Sequence, residues 1–208
     1  MKKVSFLLIL TLMLAFRVNA QTNPEVFGAK KLIWAGLDFS KSKMIGSTGF
    51  TDESAVKNEF FDKWNQLIVI EADKYDLAKT YQKDKVVHDL SVVNQQNQLS
   101  DDYELVINES YKFNEGDIEA IVKNYDGLKE KDGVGLLYVI EYFSKLDEKG
   151  SMYVVFFDPQ TLEVLHSQNY VGKPGGFGLR NFWAKTVAET MELSGKDYKK
   201  AAKAIGKK

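Results

Sequence analysis

Three β-branched and aromatic runs crowd into the last third of this chain: residues 135–143 (GLLYVIEYF), 152–157 (MYVVFF) and 161–171 (TLEVLHSQNYV). Only short polar segments separate them. Residues 145–150 close the first pair, and Asp158-Pro159-Gln160 turns the second, with proline preset for the turn. Strands joined this closely leave no length for a crossover, so they pair antiparallel. The spacing therefore predicts a three-stranded meander. A sheet of that kind folds only if something covers its apolar face.

The rest of the chain supplies the cover. Residues 31–39, within KKLIWAGLDF, place Leu32, Ile33, Trp34 and Leu37 on both faces of one strand, as a central strand requires. A loop follows over 40–49. Thr51-Asp52 then offers an N-cap, and Val56, Phe60, Trp64 and Leu67 recur at helical spacing, which predicts a helix over 52–66. Residues 67–70 read as a short strand, 73–82 as a second helix, 84–102 as partly helical and 103–108 as another short strand. Asn114 opens a third helix with Ile118, Ile121, Val122 and Tyr125 inward, closed at Gly127. Residues 180–193 form a fourth, with Phe182, Trp183, Val187 and Met191 as its apolar set.

The expected fold is α/β (α+β): one mixed sheet with a C-terminal antiparallel meander and helices packed on it. A strand followed by a helical crossover should return parallel. The expected organisation is a signal peptide over 1–20, one domain over 21–195, and a basic C-terminal helix or tail over 196–208. The leader reading rests on Lys2-Lys3, an apolar run without charge over 4–16, and Val18-Asn19-Ala20 at the cleavage site. Thirteen residues at helical rise span about 20 Å, short of a ~30 Å hydrocarbon core. The mature chain is thus expected to be exported to the periplasm or beyond, soluble, with no transmembrane segment.

The chain has no cysteine, which removes disulfides and thiolate chemistry. Without its leader the chain carries a net charge of −4, divided between −9 in the body and +5 in the tail. An acidic body disfavours nucleic acid as a partner. The tail's lysines suit contact with an anionic surface, or simply a solvated helix.

No catalytic constellation is legible. His88 and His166 lack companions at metal-ligand spacing, so no metal and no cofactor is expected. Ser40-Lys41-Ser42-Lys43 repeats a Ser-x-x-Lys pattern without the Ser-Asp-Asn and Lys-Thr-Gly partners that give it meaning. Asp38 ends the first strand, where ligands of open α/β sheets lie, and Glu141 interrupts an apolar strand, read as its half-exposed face. The most informative stretch is KPGGFGLRN over 173–181. Gly175, Gly176 and Gly178 free the backbone to turn, a helix starts directly after them, and Arg180 and Asn181 stand beside it. This arrangement suits an anion such as phosphate or carboxylate. It equally suits a structural turn with Phe177 packed underneath.

Four segments also carry a resemblance: KKLIWAGLDF, VKNEFFDKW, the run from GLLYVIEYF to LEVLHSQNYV, and RNFWAKTVAETM. In that order they resemble a domain of bacterial envelope proteins, found at the amino terminus of the Tol–Pal translocation protein, in the outer-membrane activators of penicillin-binding proteins, and in the periplasmic part of the curli secretion channel. DPQTLEVLHSQNYVGK looks like that domain's hairpin edge. The chain is also similar to small exported bacterial proteins with a Gly-Gly-Phe-Gly-x-Arg-Asn-aromatic-Trp stretch. The resemblance implies an accessory protein that binds another envelope protein, and it carries over no catalytic residue.

Expressed in a bacterium, the processed protein should begin at Gln21, within a residue or two. N-terminal mass analysis checks this, and a chain retaining Met1 contradicts it.

Overall fold

The structure, a computed structural model, describes residues 23–99 and 105–206. The leader read over 1–20, and the first part of the strand read over 103–108, lie outside those residues. The expected fold class holds: seven strands form one mostly parallel sheet with helices packed on it.

The long strand β5 (Val134–Ser144) organises the sheet. Along one edge it pairs antiparallel with β6 (Lys149–Phe157), which pairs antiparallel with β7 (Val164–Gly172), so the meander forms as read. Two shorter strands lie end to end along its other edge, both parallel to it. β1 (Lys31–Asp38) covers Val134 to Val139, and β2 (Lys43–Ile45) covers Tyr142 to Ser144. Beyond them lie β3 (Lys85–His88), parallel to β1, and β4 (Val106–Ile107), parallel to β2.

Two bulges set the faces. β1 shifts register between Trp34 and Gly36, so Trp34 and Leu37, three apart, oppose Leu136 and Tyr138 on one face. Gly36 accommodates this at φ +112°, and a Cβ there would sit 2.5 Å from Val93 Cγ1 and 2.7 Å from Asn65 Oδ1. β5 shifts register between Ile140 and Tyr142, which leaves Glu141 without an opposite residue on β6.

One face joins Trp34, Tyr138, Ile140, Met152, Val154 and Phe156 to the helices α3 (Phe61–Ile70) and α7 (Leu179–Ile205). The other joins Leu137, Val139, Val155 and Phe157 to α5 (Ser91–Gln98) and α6 (Asp117–Val122), through Val92, Val93, Ile121 and Val122. At one end of the first core Trp183 stacks on Phe143 at 4.7 Å and on Phe50 at 5.4 Å, and Phe39 stacks on Phe61 at 4.2 Å. Burying an aromatic of this size is worth about 3–5 kcal/mol against alanine.

Several local expectations are corrected. Residues 67–70 are not a strand but the last turn of α3, which a π-helical segment (Val56–Phe60) joins to a short α2 (Glu53–Ala55). Only Leu77–Thr80, α4, is helical within 73–82. The stretch 84–102 holds β3 and then α5, and the expected loop over 40–49 contains β2. The fourth helix does not stop at Leu193. α7 runs 27 residues to Ile205, straight through the boundary read between 195 and 196.

β3 ends opposite Trp34, and beyond it β1 loses its backbone partner on that side. Two asparagines take over. Asn65 Oδ1 accepts from Leu37 N at 2.7 Å while its Nδ2 donates to Leu37 O at 3.0 Å. Asn97 Nδ2 donates to the same Leu37 O at 3.0 Å, and its Oδ1 accepts from Phe39 N at 2.7 Å. Both amides are buried. Asn65→Ala should lower stability by about 2–3 kcal/mol, because it orphans the buried Leu37 N–H. Urea unfolding checks this, and a midpoint unchanged from wild type contradicts it.

Candidate functional site

The carboxylates singled out by sequence come to the same face, two residues apart along the sheet: Asp38 is in register with Val139, and Glu141 follows. Each is a structural clamp. Asp38 Oδ1 accepts from the Ser40 backbone N–H at 2.8 Å and the Ser40 hydroxyl at 2.6 Å, and Oδ2 from the Tyr125 hydroxyl at 2.6 Å. Complete burial pushes the Asp38 carboxyl up, and those hydrogen bonds with Ser40 and Tyr125 draw it back. Glu141 is buried, not on a half-exposed face. Its Oε1 accepts from Phe113 N at 2.8 Å and its Oε2 from the Ser151 hydroxyl at 2.7 Å, so it closes its own bulge.

In the Ser-x-x-Lys stretch Lys43 Nζ lies over the Tyr111 ring, 5.9 Å from its centroid, and the Ser40 hydroxyl donates to Asp38. Lys41 Nζ pairs with Asp117 Oδ1 at 2.6 Å. His88 is exposed at the end of β3, and His166 is half-buried on β7 beside the Phe156 ring. The two belong to different strands and share no site. Among the described residues no three His, Cys, Asp or Glu side chains gather where a metal would bind.

The glycine segment is a loop at the start of α7. Gly176 at φ +101° and Gly178 at φ +79° make conformations that side chains rarely adopt. Gly175 N donates to Phe182 O at 2.9 Å, and Lys173 N donates to Glu189 Oε2 at 2.6 Å, so both ends of the loop are tied back to the helix. Arg180 Nε donates to Asn181 Oδ1 at 3.2 Å, and the Arg180 carbonyl accepts from Trp64 Nε1 at 2.9 Å. The loop thus does bring together Gly175, Gly176, Gly178, Arg180 and Asn181. The Gly175 N–H and the Arg180 Nε–H, however, are spent inside the loop.

What the loop displays is Phe177. The sequence allowed it to pack underneath; instead it is 95% exposed. The turn between β5 and β6 lies at the same end of the sheet. Lys145 Nζ sits 4.3 Å above the Phe182 ring, and Leu146 beside it is exposed. Phe177, Phe182, Leu146, Lys145 and Arg180 therefore lie at one end of the sheet, where Lys145 Nζ also pairs with Glu148 Oε1 at 3.1 Å. Nothing in the spacing marks Leu146 or Lys145 as part of this end, since they lie over thirty residues upstream. The glycines flanking Phe177 were the available signal.

The far end of α7 is anchored: of the stretch read as a basic helix or tail, residues 196–205 are helical. Tyr198 is buried, and its hydroxyl donates to Val26 O at 3.1 Å, in the short helix α1 (Pro24–Gly28). Gly195 lets α7 approach α4, where a Cβ would lie 2.7 Å from Thr80 Cγ2. Buried hydroxyls of Tyr138, Tyr81 and Ser194 are linked in one chain. Lys83 closes the same corner, with Nζ donating to Ala29 O at 2.7 Å and to Val26 O. Comparison with known protein families and with curated proteins gives no match.

Burial lowers the Lys83 ammonium from its ordinary 10.5 to about 8. Above that value the folded protein has released a proton that the unfolded chain still holds, so stability rises with pH between about 8 and 10.5. Relative to Lys83→Met, wild type should gain stability from neutral pH to about pH 10. Urea unfolding of the two proteins checks this, and a pH-independent difference contradicts it.

Proposed function

We propose that the chain is an exported accessory protein of the cell envelope that works by binding another envelope protein, without catalysis. The observation that carries this reading is Phe177. Phe177 is 95% exposed between two positive-φ glycines, at the same end of the sheet as exposed Leu146, where an aromatic side chain is open to a partner. Aromatic anchors with an arginine at the margin are the side chains that dominate protein–protein contacts. The carboxylates at the strand ends support the same reading, because their hydrogen-bonding oxygens serve the fold and leave no acid–base pair poised for chemistry.

The partner has a stated chemistry: an apolar pocket for Phe177 with acidic groups on its rim, facing Lys145 and Arg180. Such a contact weakens as salt rises, because the charged rim is exposed. The likeness to the envelope domain of the translocation and penicillin-binding-protein-activating proteins is part of this proposal, as is contact of the lysine-rich end of α7 with an anionic surface.

A photo-crosslinking side chain in place of Phe177, in the processed protein in its own envelope, should give one discrete protein adduct. The same probe at Ile70, also exposed but on α3, should not. An absence of adduct at 177, or the same adduct at both positions, overturns the reading.

A further inference from the structure

A cavity of about 100 Å³ lies between the C-terminal half of α7, the strands β6 and β7, and α1. It is distinct from the Phe177 surface, roughly 25 Å away along α7 at helical rise. Rings make its walls: Phe27 and Tyr198 at 4.7 Å from each other, Phe156 at 5.8 Å from Tyr198, and His166 on β7. Val154 and Ala201 fill the gaps between them. A space of this size beside the rings admits no more than one planar six-membered ring, since benzene itself is taken up by an apolar cavity of about 150 Å³.

The polar groups are at one side. Asp197 is the one acidic or basic side chain apart from His166 in the lining, and it is exposed at the mouth. Its Oδ2 accepts from the Tyr170 hydroxyl at 3.2 Å and from Gln168 Nε2 at 3.4 Å. Both bonds fall on Oδ2 and fix the carboxylate beside the opening. The nearby ammonium of Lys83 donates to the carbonyls of Val26 and Ala29 and lies over the Tyr198 ring, 5.4 Å from its centroid. The site therefore offers apolar walls and a single oriented negative charge.

We infer that this cavity binds a small aromatic amine, its ring held among Phe27, Phe156 and Tyr198 and its ammonium on Asp197. A neutral aromatic would fill the walls and leave the carboxylate solvated. A carboxylate-bearing aromatic would be repelled by it. Aliphatic ammonium ions would lack the ring contacts with Phe27, Phe156 and Tyr198.

The test is a two-dimensional NMR titration of the processed protein with 2-phenylethylammonium and its neutral isostere 2-phenylethanol. Saturable shifts should centre on Phe27, Phe156, Tyr198 and Ala201. The cation should bind about tenfold more tightly than the alcohol, the preference that one charge-assisted hydrogen bond supplies. Asp197→Asn, an exposed and fold-neutral change, should remove that preference, and Ala201→Leu should block both compounds by filling the cavity. A preference that survives Asp197→Asn, binding that survives Ala201→Leu, or no saturable shift at those residues overturns the inference. None of these outcomes bears on crosslinking at Phe177, so the two readings fail separately.

Discussion

A buried backbone amide without a partner costs as much as a lost hydrogen bond, and the end of β1 is where this sheet meets that cost. β3 supplies partners only as far as Trp34. Beyond it the bulge at Gly36 shifts the register with β5, so that Leu37 and Asp38 oppose Tyr138 and Val139. Asn65, from a helix on one face, and Asn97, from a helix on the other, then supply donors and acceptors to Leu37 and Phe39 in place of a strand. Because Asn65 and Asn97 meet at the same carbonyl, the helices of the two layers are fixed to one point of the sheet. Asp38 extends the arrangement by holding Ser40 and Tyr125, which positions the crossing from β1 to β2.

From that point the role of α7 follows. Its first turns close the aromatic cluster of Phe50, Phe143 and Trp183 and receive the Trp64 indole at the Arg180 carbonyl. Its last turns hold α1 through Tyr198 and border the cavity beside β7. One straight helix thus carries two surfaces of opposite character. At its start an aromatic side chain is pushed into solvent beside basic groups, and near its end rings enclose a space with a carboxylate at the mouth.

The legible parts of the fold were the local ones. The meander is visible in the sequence because each of its strands is long enough to show its pattern and is bounded by turn residues. The strands β2 and β4, of three and two residues, show no pattern; they exist only because β5 runs past the end of β1 and offers an unfilled edge. Leu67, Ile68, Val69 and Ile70 look like a strand in isolation and are helical because the preceding turns carry the helix on into them. Tyr198 was the one aromatic in a lysine-rich stretch, and its burial depends on α1 and α4 arriving from distant parts of the chain.

The amino-acid sequence by itself determined the α/β class, the antiparallel meander, the central character of β1, the absence of thiol chemistry and the presence of a glycine loop ahead of the last long helix. These follow from side-chain periodicity, turn chemistry and composition, which act over neighbouring residues. Only the tertiary structure decided that Asn65 and Asn97 are buried ladder substitutes, that Asp38 and Glu141 are clamps, that Phe177 faces water and that Asp197 stands over an aromatic cavity. In each of these cases the outcome depends on which backbone edges and rings, remote in the chain, come to lie beside the residue, and that is settled by packing and hydrogen-bond satisfaction rather than by any local pattern.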